Sequence, residues 1–234
     1  MDKDLYHRHR FPAEIIGHAV WLYHRFNLSF RDIEELLASR GVLVSNESIR
    51  QWCLKFGQTY ANNLRLSRPR RGDKWHLDEV YLSMNGQRHY LWRAVDQAGH
   101  VLDILVQSRR DRHAAKRFLR KLLKGLRYAP RVMITDKLKR YAAARQDIMP
   151  GVEHRQHKGL NNRAEVSHQP TRLKEKPMRR FKSPALAQRF LSAYGPINNL
   201  FRCRRHLLSR VDYRAAREKA FFTWQILTNA LSAA

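Results

Sequence analysis

Apolar residues recur at helical spacing from Ala13 to Phe26, through Ile15, Ile16, Ala19, Val20, Leu22 and Tyr23, and predict a first helix. Asn27 to Ser29 interrupts it. Ser29 and Asp32 then make the Ser-x-x-Asp variant of a capping box ahead of Ile33, Leu36 and Leu37, so a second helix follows and stops near Gly41. Ser45 or Asn46 can cap a third, whose Ile49, Trp52, Cys53 and Phe56 face inward. Its other face offers Asn46, Glu47, Arg50, Gln51 and Lys55. Three short helices with a polar third one match a helix-turn-helix, in which that helix enters the major groove of DNA. A plain three-helix bundle fits the same pattern.

Beyond residue 74 the period changes from helical to two. Residues 74 to 84 alternate, Asn85-Gly86 gives a strong hairpin signal, and Gln87 to Asp96 runs back as a second strand. Gly99 marks a turn before a third strand at Val101 to Val106. Asp111 to Gly125 reads as an amphipathic helix with Ala114, Phe118, Leu119, Leu122 and Leu123 inward. Arg131 to Thr135 reads as a buried strand, and Asp136 stands where it gives way to another helix. This is the element order of a ribonuclease-H-like domain. The chain is therefore expected to be α/β (α+β): a helix-turn-helix domain at 1–66, a basic Pro/Gly linker at 67–74, a ribonuclease-H-like core at 75–183, and C-terminal helices at 184–234.

Composition adds a partner. The chain carries 46 Lys+Arg against 20 Asp+Glu, a formal charge of +26, which a polyanion such as nucleic acid would neutralise. Half of the excess falls between His154 and Lys219. A membrane is not implied, since apolar runs such as AVWLY at 19 to 23 fall far short of the ~18 residues that span a bilayer. The N-terminus MDKDLYHRHR has no apolar core of the secretory kind, so an intracellular protein is expected. Cys53 and Cys203 are solitary and suggest neither a disulfide framework nor a zinc site.

Against that charge three acids stand out: Asp78, Asp136 and Glu165. Asp78 lies within a strand, on the face of His76 and Val80, where a buried carboxylate needs a cation or a strong donor. Taken alone, Asp136 reads as a cap of the next helix and Glu165 as a surface glutamate on a basic helix. Their ordered spacing, 58 and then 29 positions, allows all three to meet. Hard oxygen ligands hold Mg²⁺ while leaving sites for water and phosphate, and two ions ~4 Å apart serve phosphodiester chemistry without a side-chain nucleophile.

The helix-turn-helix start, W-H-x-D-E-x-Y at 75 to 81, WRAVD-x-x-G at 92 to 99, RRD-x-x-AA-x-RF at 109 to 118, TDK at 135 to 137 and VEHRQHKGLNNRAE at 152 to 165 resemble bacterial transposases of the insertion-sequence-six family, over nearly the whole chain. The resemblance implies a retroviral-integrase-like fold whose metal site is Asp78, Asp136 and Glu165, holding two Mg²⁺ that Mn²⁺ can replace. It also implies that Arg172, seven positions after Glu165, positions a DNA phosphate. The Asp136 to Glu165 interval is shorter than in the family's best-known members. The implied partners are double-stranded DNA, as terminal inverted repeats and target, and further copies in a homodimer or larger assembly, on DNA in the bacterial cytoplasm. The implied activity is strand cleavage and strand transfer giving replicative cointegrates.

The stretch TRLKEKPMRRFKSP at 171 to 184 is expected to be a DNA-contacting loop through Lys174, Lys176, Arg179 and Arg180, with Pro184 opening another helix. Phe190, Leu191, Tyr194, Ile197, Leu200 and Phe201, then Phe221, Phe222, Trp224, Ile226 and Leu227, fit either helix core or a dimer surface. Arg202, Arg204, Arg205, His206, Arg210 and Tyr213 echo the cluster of a tyrosine recombinase, but the tyrosine follows the histidine too closely. A repressor or an inactive transposase is the non-enzymatic alternative. Roles for His76, His154 and His157 stay open.

Overall fold

The chain divides into two compact units, Met1–Ser67 with Pro196–Ala234, and Arg68–Gly195. The computed structural model describes residues 5–67, 72–136, 139–157, 159–176, 178, 180–203 and 205–228. Arg179, Arg204 and half of the linker at 67–74, residues 68–71, lie outside the described residues. Among the described residues no helix is long and apolar enough to cross a membrane.

The N-terminal unit begins with α1 (Ala13–Arg25), α2 (Phe30–Ala38) and α3 (Asn46–Leu66). Ser29 and Asp32 form the reciprocal box that starts α2: the Ser29 amide donates to Asp32 Oδ2 at 2.7 Å and the Asp32 amide to Ser29 Oγ at 3.2 Å. Ser45 caps α3. At 21 residues α3 is longer than a short third helix, because Phe56, Tyr60 and Leu64 continue its buried stripe at a spacing of four.

The second unit is built on a five-stranded mixed sheet. Strand β1 (Lys74–Met84) turns at Asn85 and Gly86, with φ of 49° and 76°, into antiparallel β2 (Gln87–Asp96), and β3 (Val101–Gln107) follows antiparallel. Helix α4 (Arg112–Leu126), capped by Asp111, leads to β4 (Val132–Thr135), which pairs parallel to β1. After α5 (Lys139–Ile148), β5 (Glu153–Gln156) pairs parallel to β4, giving the order β3-β2-β1-β4-β5. Sequence patterning does not flag β5. Its four residues are polar and mostly exposed, as a solvated edge strand allows.

Strand alternation gives the sheet two different faces. Trp75, Leu77, Trp92, Ala94 and Met133 pack with Phe118, Leu119 and Leu122 of α4 and with Tyr141 of α5 in one apolar core. His76, Asp78 and Arg93 point the other way, toward α6 (Asn162–Ser167) and α7 (Gln169–Glu175). Helix α8 (Pro184–Leu200) starts at Pro184 and closes the β3 edge, where Gln188 Oε1 accepts from the Val106 amide at 2.8 Å.

One expectation is corrected here. The first part of 171–184 is helical rather than a loop, since α7 carries Pro170 in its first turn and turns Thr171 and Lys174 inward. Lys174 is completely buried and has no surface to offer DNA.

The last helix among the described residues is α9 (Arg210–Leu227), in the same unit as α1 to α3. Trp224 packs edge-on against Tyr60 at 5.3 Å, and Trp21 meets Phe201 and Phe221 at 5.7 and 5.2 Å. Phe201 and Trp224 are therefore core, while Phe222 and Ile226 remain exposed at 58% and 42%.

Candidate active site

The register of the parallel strands has the same offset as the spacing of the first two carboxylates. Lys74 faces Val132 and His76 faces Ile134, an offset of 58 positions, and Asp136 follows Asp78 by the same 58. The pairing ends at His76 and Ile134, two positions before Asp78 and Asp136, and Asp136 follows the last residue of β4. Both acids are half-buried. The side chains of Arg110 and Tyr141 feel Asp136, and Tyr141 feels Asp78 as well.

Around Asp78 the surroundings are cationic and dry. Burial pushes its carboxyl above the usual range, against the Glu79 amide, which hydrogen-bonds to it, and the charges of Arg110, Arg93 and Arg172. His168 Nε2 lies 3.3 Å from Asp78 Oδ2, close enough for an ion pair but outside hydrogen-bond geometry. Burial first, then Arg93 and Arg172, drive that imidazole well below its ordinary value, so it stands neutral beside the acid. We therefore read the contact as packing rather than a charge pair.

Glu165 is exposed on α6, and its place is fixed by what surrounds it. Asn161 is fully buried and donates from Nδ2 to the Leu77 carbonyl at 2.9 Å, one residue before Asp78. Ala164, Ser167, His168 and Thr171 continue this inward face. Arg93, opposite Asp78 in the β1–β2 register, donates to the Ser167 carbonyl and, at 2.5 Å, to Thr171 Oγ1. It is 3% exposed, and burial lowers its pKa to about 10. The block NNRAEVSHQPT thus supplies the anchoring residues that hold the Glu165 helix on the Asp78 face. Among the described residues, no three His, Cys, Asp or Glu side chains stand close enough to hold one metal ion together.

Asp78 and Asp136 fit a hard divalent cation on chemical grounds. They are half-buried carboxylates that both act on Tyr141, one of them raised by burial, and a cation would hold both ionised. Glu165 presents its side chain to solvent on the helix clamped above them.

The basic residues fall into two groups. Arg172, Lys176 and Arg180 converge with Glu175 on a cleft of about 560 Å³ along Tyr81 to Ser83 of β1, and Arg172 also acts on Asp78. On α3 the four candidates are engaged within the protein. Arg50 grips Glu47 through Nε at 2.8 Å, and Gln51 donates to Glu47 at 3.2 Å. Asn46 donates to Glu34 at 2.8 Å, and Lys55 contacts His9 at 2.9 Å. Of the three histidines, His76 is buried beside Asp78, His154 meets Thr135 at 2.9 Å, and exposed His157 accepts from the Leu160 amide.

Sequence reasoning missed Arg93, Arg110, Tyr141 and Asn161. A signal for Arg93 existed: the two-residue Asn85-Gly86 turn pairs Met84 with Gln87, which carries Asp78 onto Arg93.

A carboxylate within β1, a second just past the end of the parallel strand β4 and a third on a helix over the same sheet face are the acids that a DDE-type polynucleotidyl transferase calls for. The DDE domain family DDE_Tnp_IS240 matches residues 72–204. The transposase for the insertion sequence-like element IS431mec of Staphylococcus aureus is 31% identical over 171 residues, covering 71% of this chain and 76% of that protein. The transposase for insertion sequence element IS257 in transposon Tn4003, from the same species, shows the same identity and coverage. The chain belongs to the insertion-sequence-six family of DDE transposases. The HTLV-2 integrase catalytic core domain, solved in complex with magnesium, overlaps with a TM-score of 0.44 at 16% identity, over 62% of this chain and 99% of that one.

Proposed function

We propose that this protein binds the terminal inverted repeats of its element and carries out divalent-metal-dependent strand cleavage and strand transfer, ending in replicative cointegrates. Asp78, Asp136 and Glu165 are the metal-holding acids in this reading. Two Mg²⁺ ions, replaceable by Mn²⁺, would activate the attacking oxygen and stabilise the leaving one. The polar face of α3, through Asn46, Arg50, Gln51 and Lys55, reads the repeat once DNA phosphates compete for its internal pairs. Arg172, Lys176 and Arg180 guide the strand along their cleft toward Asp78, and Arg179 belongs to the same stretch. Cleavage exposes a 3′-OH, which attacks a target phosphorus in line. One P–O bond forms as another breaks, so no external energy source is required. Two element ends call for at least a homodimer.

The observation that carries this reading is the shared 58-position offset of the β1–β4 pairing and of Asp78 and Asp136. The test is Asp78→Asn, assayed for end binding by gel retardation and for Mg²⁺-dependent strand transfer. Binding is expected to persist while transfer falls by about 10² to 10³-fold, the loss when a main electrostatic group is removed. Full transfer by the variant would refute the role of Asp78. A second reading, a catalytically silent DNA-binding copy, draws on the exposure of Glu165 and on the absence of a three-acid cluster among the described residues. Transfer by the unaltered chain excludes it.

A further inference from the structure

The arginine and tyrosine cluster that echoes a tyrosine recombinase has no place in the reaction above, yet the fold gathers three of its members, Arg205, Arg210 and Tyr213. Arg205, Arg210, Tyr213, Arg214 and Arg217 line one cleft of about 1010 Å³ between the 3-10 turn Arg205–Leu207 and the start of α9. Glu218 is the one carboxylate on its walls. Among the described residues no ion pair engages any of the four arginines. On α4 half of the outward cations are paired, Arg112 and Lys116 sharing Asp147 and Lys121 holding Asp103.

The cleft is also ordered. Arg205 and Arg217 lie over the Tyr213 ring at 6.0 and 5.9 Å, and Arg217 lies over Phe221 at 5.9 Å. Stacking on a ring face fixes the plane of a guanidinium and leaves its N–H edge free for an anionic acceptor. Tyr213 is thus a platform between two cations.

We propose that this cleft is a second DNA-binding site, separate from α3 and from the Arg172 cleft, which takes the phosphodiester backbone without reading bases. It rests on the DNA-acting reading above and not on the carboxylates. Charge selects the occupant: another copy of this chain would itself bring a +26 protein against four unpaired arginines, whereas phosphates neutralise them in pairs of N–H···O bonds.

The experiment uses the full chain with Arg210, Arg214 and Arg217 all changed to Gln, and a matching triple Lys variant. Binding to a random-sequence duplex is followed by fluorescence anisotropy across a salt series, with melting curves to verify folding. Each lost phosphate contact lowers the slope of log K against log salt by about 0.9, so the Gln variant should lose about 2 to 3 from the slope and roughly tenfold or more in affinity near 0.1 M salt. The Lys variant should keep most of the slope. An unchanged slope and affinity in the Gln variant overturns the proposal. An unchanged slope with a shift in sedimentation also overturns it, and assigns the cleft to a second copy. Asp78→Asn run alongside should keep the wild-type slope, so failure of the metal reading and failure of this one are read separately.

Discussion

Asp78 and Glu79 are neighbours in sequence and opposites in setting. Glu79 points to the apolar face, where its side chain is completely buried and fully served: Arg110 Nε donates to one oxygen at 2.6 Å and the Tyr141 hydroxyl to the other at 2.5 Å. Asp78 points to the face of α6 and α7, where it has a backbone amide, a neutral imidazole and cations acting across a gap. The protein completes one carboxylate from its own donors and leaves the other dependent on something added. A single strand separates stability from chemistry by parity, one residue to each face.

The largest effect expected from breaking that contrast is on Glu79. Glu79→Gln leaves Arg110 with a neutral partner and forces one amide to replace two charge-assisted bonds, a loss of about 2 to 4 kcal/mol after allowance for the partial exposure of Arg110. Asp78→Asn relieves a half-buried charge instead, so in the absence of divalent metal it should melt at or above the wild type. Thermal melting of the two variants side by side checks this. A drop of similar size in both would mean that the two carboxylates are structural alike.

Arg93 comes next. It is the buried cation of the polar face, and it ties the helix junction between Glu165 and Arg172 to the strand opposite Asp78. Arg93→Met removes the cost of burying a charge but orphans the Ser167 carbonyl and the Thr171 hydroxyl, a net loss of about 2 kcal/mol. Hydrogen exchange across 162–175 should quicken, and strand transfer should fall by more than the drop in folded population. Arg93→Lys should not restore either, since one ammonium on a flexible stem cannot span both acceptors in the same plane. Wild-type exchange rates in Arg93→Met would show that the clamp is unnecessary.

The contrast also separates what was legible in the sequence from what was not. Strand parity, the Asn85-Gly86 turn and the spacing from Asp78 to Asp136 are local or arithmetic, and they translate directly into β1, β2 and the 58-position register. The anchoring role of Asn161, Ser167 and Thr171 depends on which sheet face a short helix lies against, which no periodicity in a six-residue helix specifies. Lys174 shows the same limit from the other side. A lysine in a basic run reads as solvated, but α7 turns it inward with Thr171, three positions earlier on the same face. The strand β5 hid because an edge can be polar throughout.

At that edge lies the smallest effect, in a second polar contact on the same face as Glu79. The Thr135 hydroxyl donates to the Asp136 carbonyl at 2.8 Å, so His154 Nε2, 2.9 Å away, must carry the proton it gives to Thr135. Burial, and then Arg145, lower the His154 pKa to about 4. The unfolded chain has a histidine near 6.5 and takes up a proton below that value which the folded chain refuses down to about 4. Stability therefore rises with pH across this window and is lost as pH falls through it, by about 1 to 2 kcal/mol after discounting for the partial exposure of the ring. His154→Gln should lose that much less stability than the wild type between pH 7 and pH 4, in paired melting curves. Parallel curves would mean that the imidazole opens to water on protonation, and that the far edge of the apolar face is not sealed.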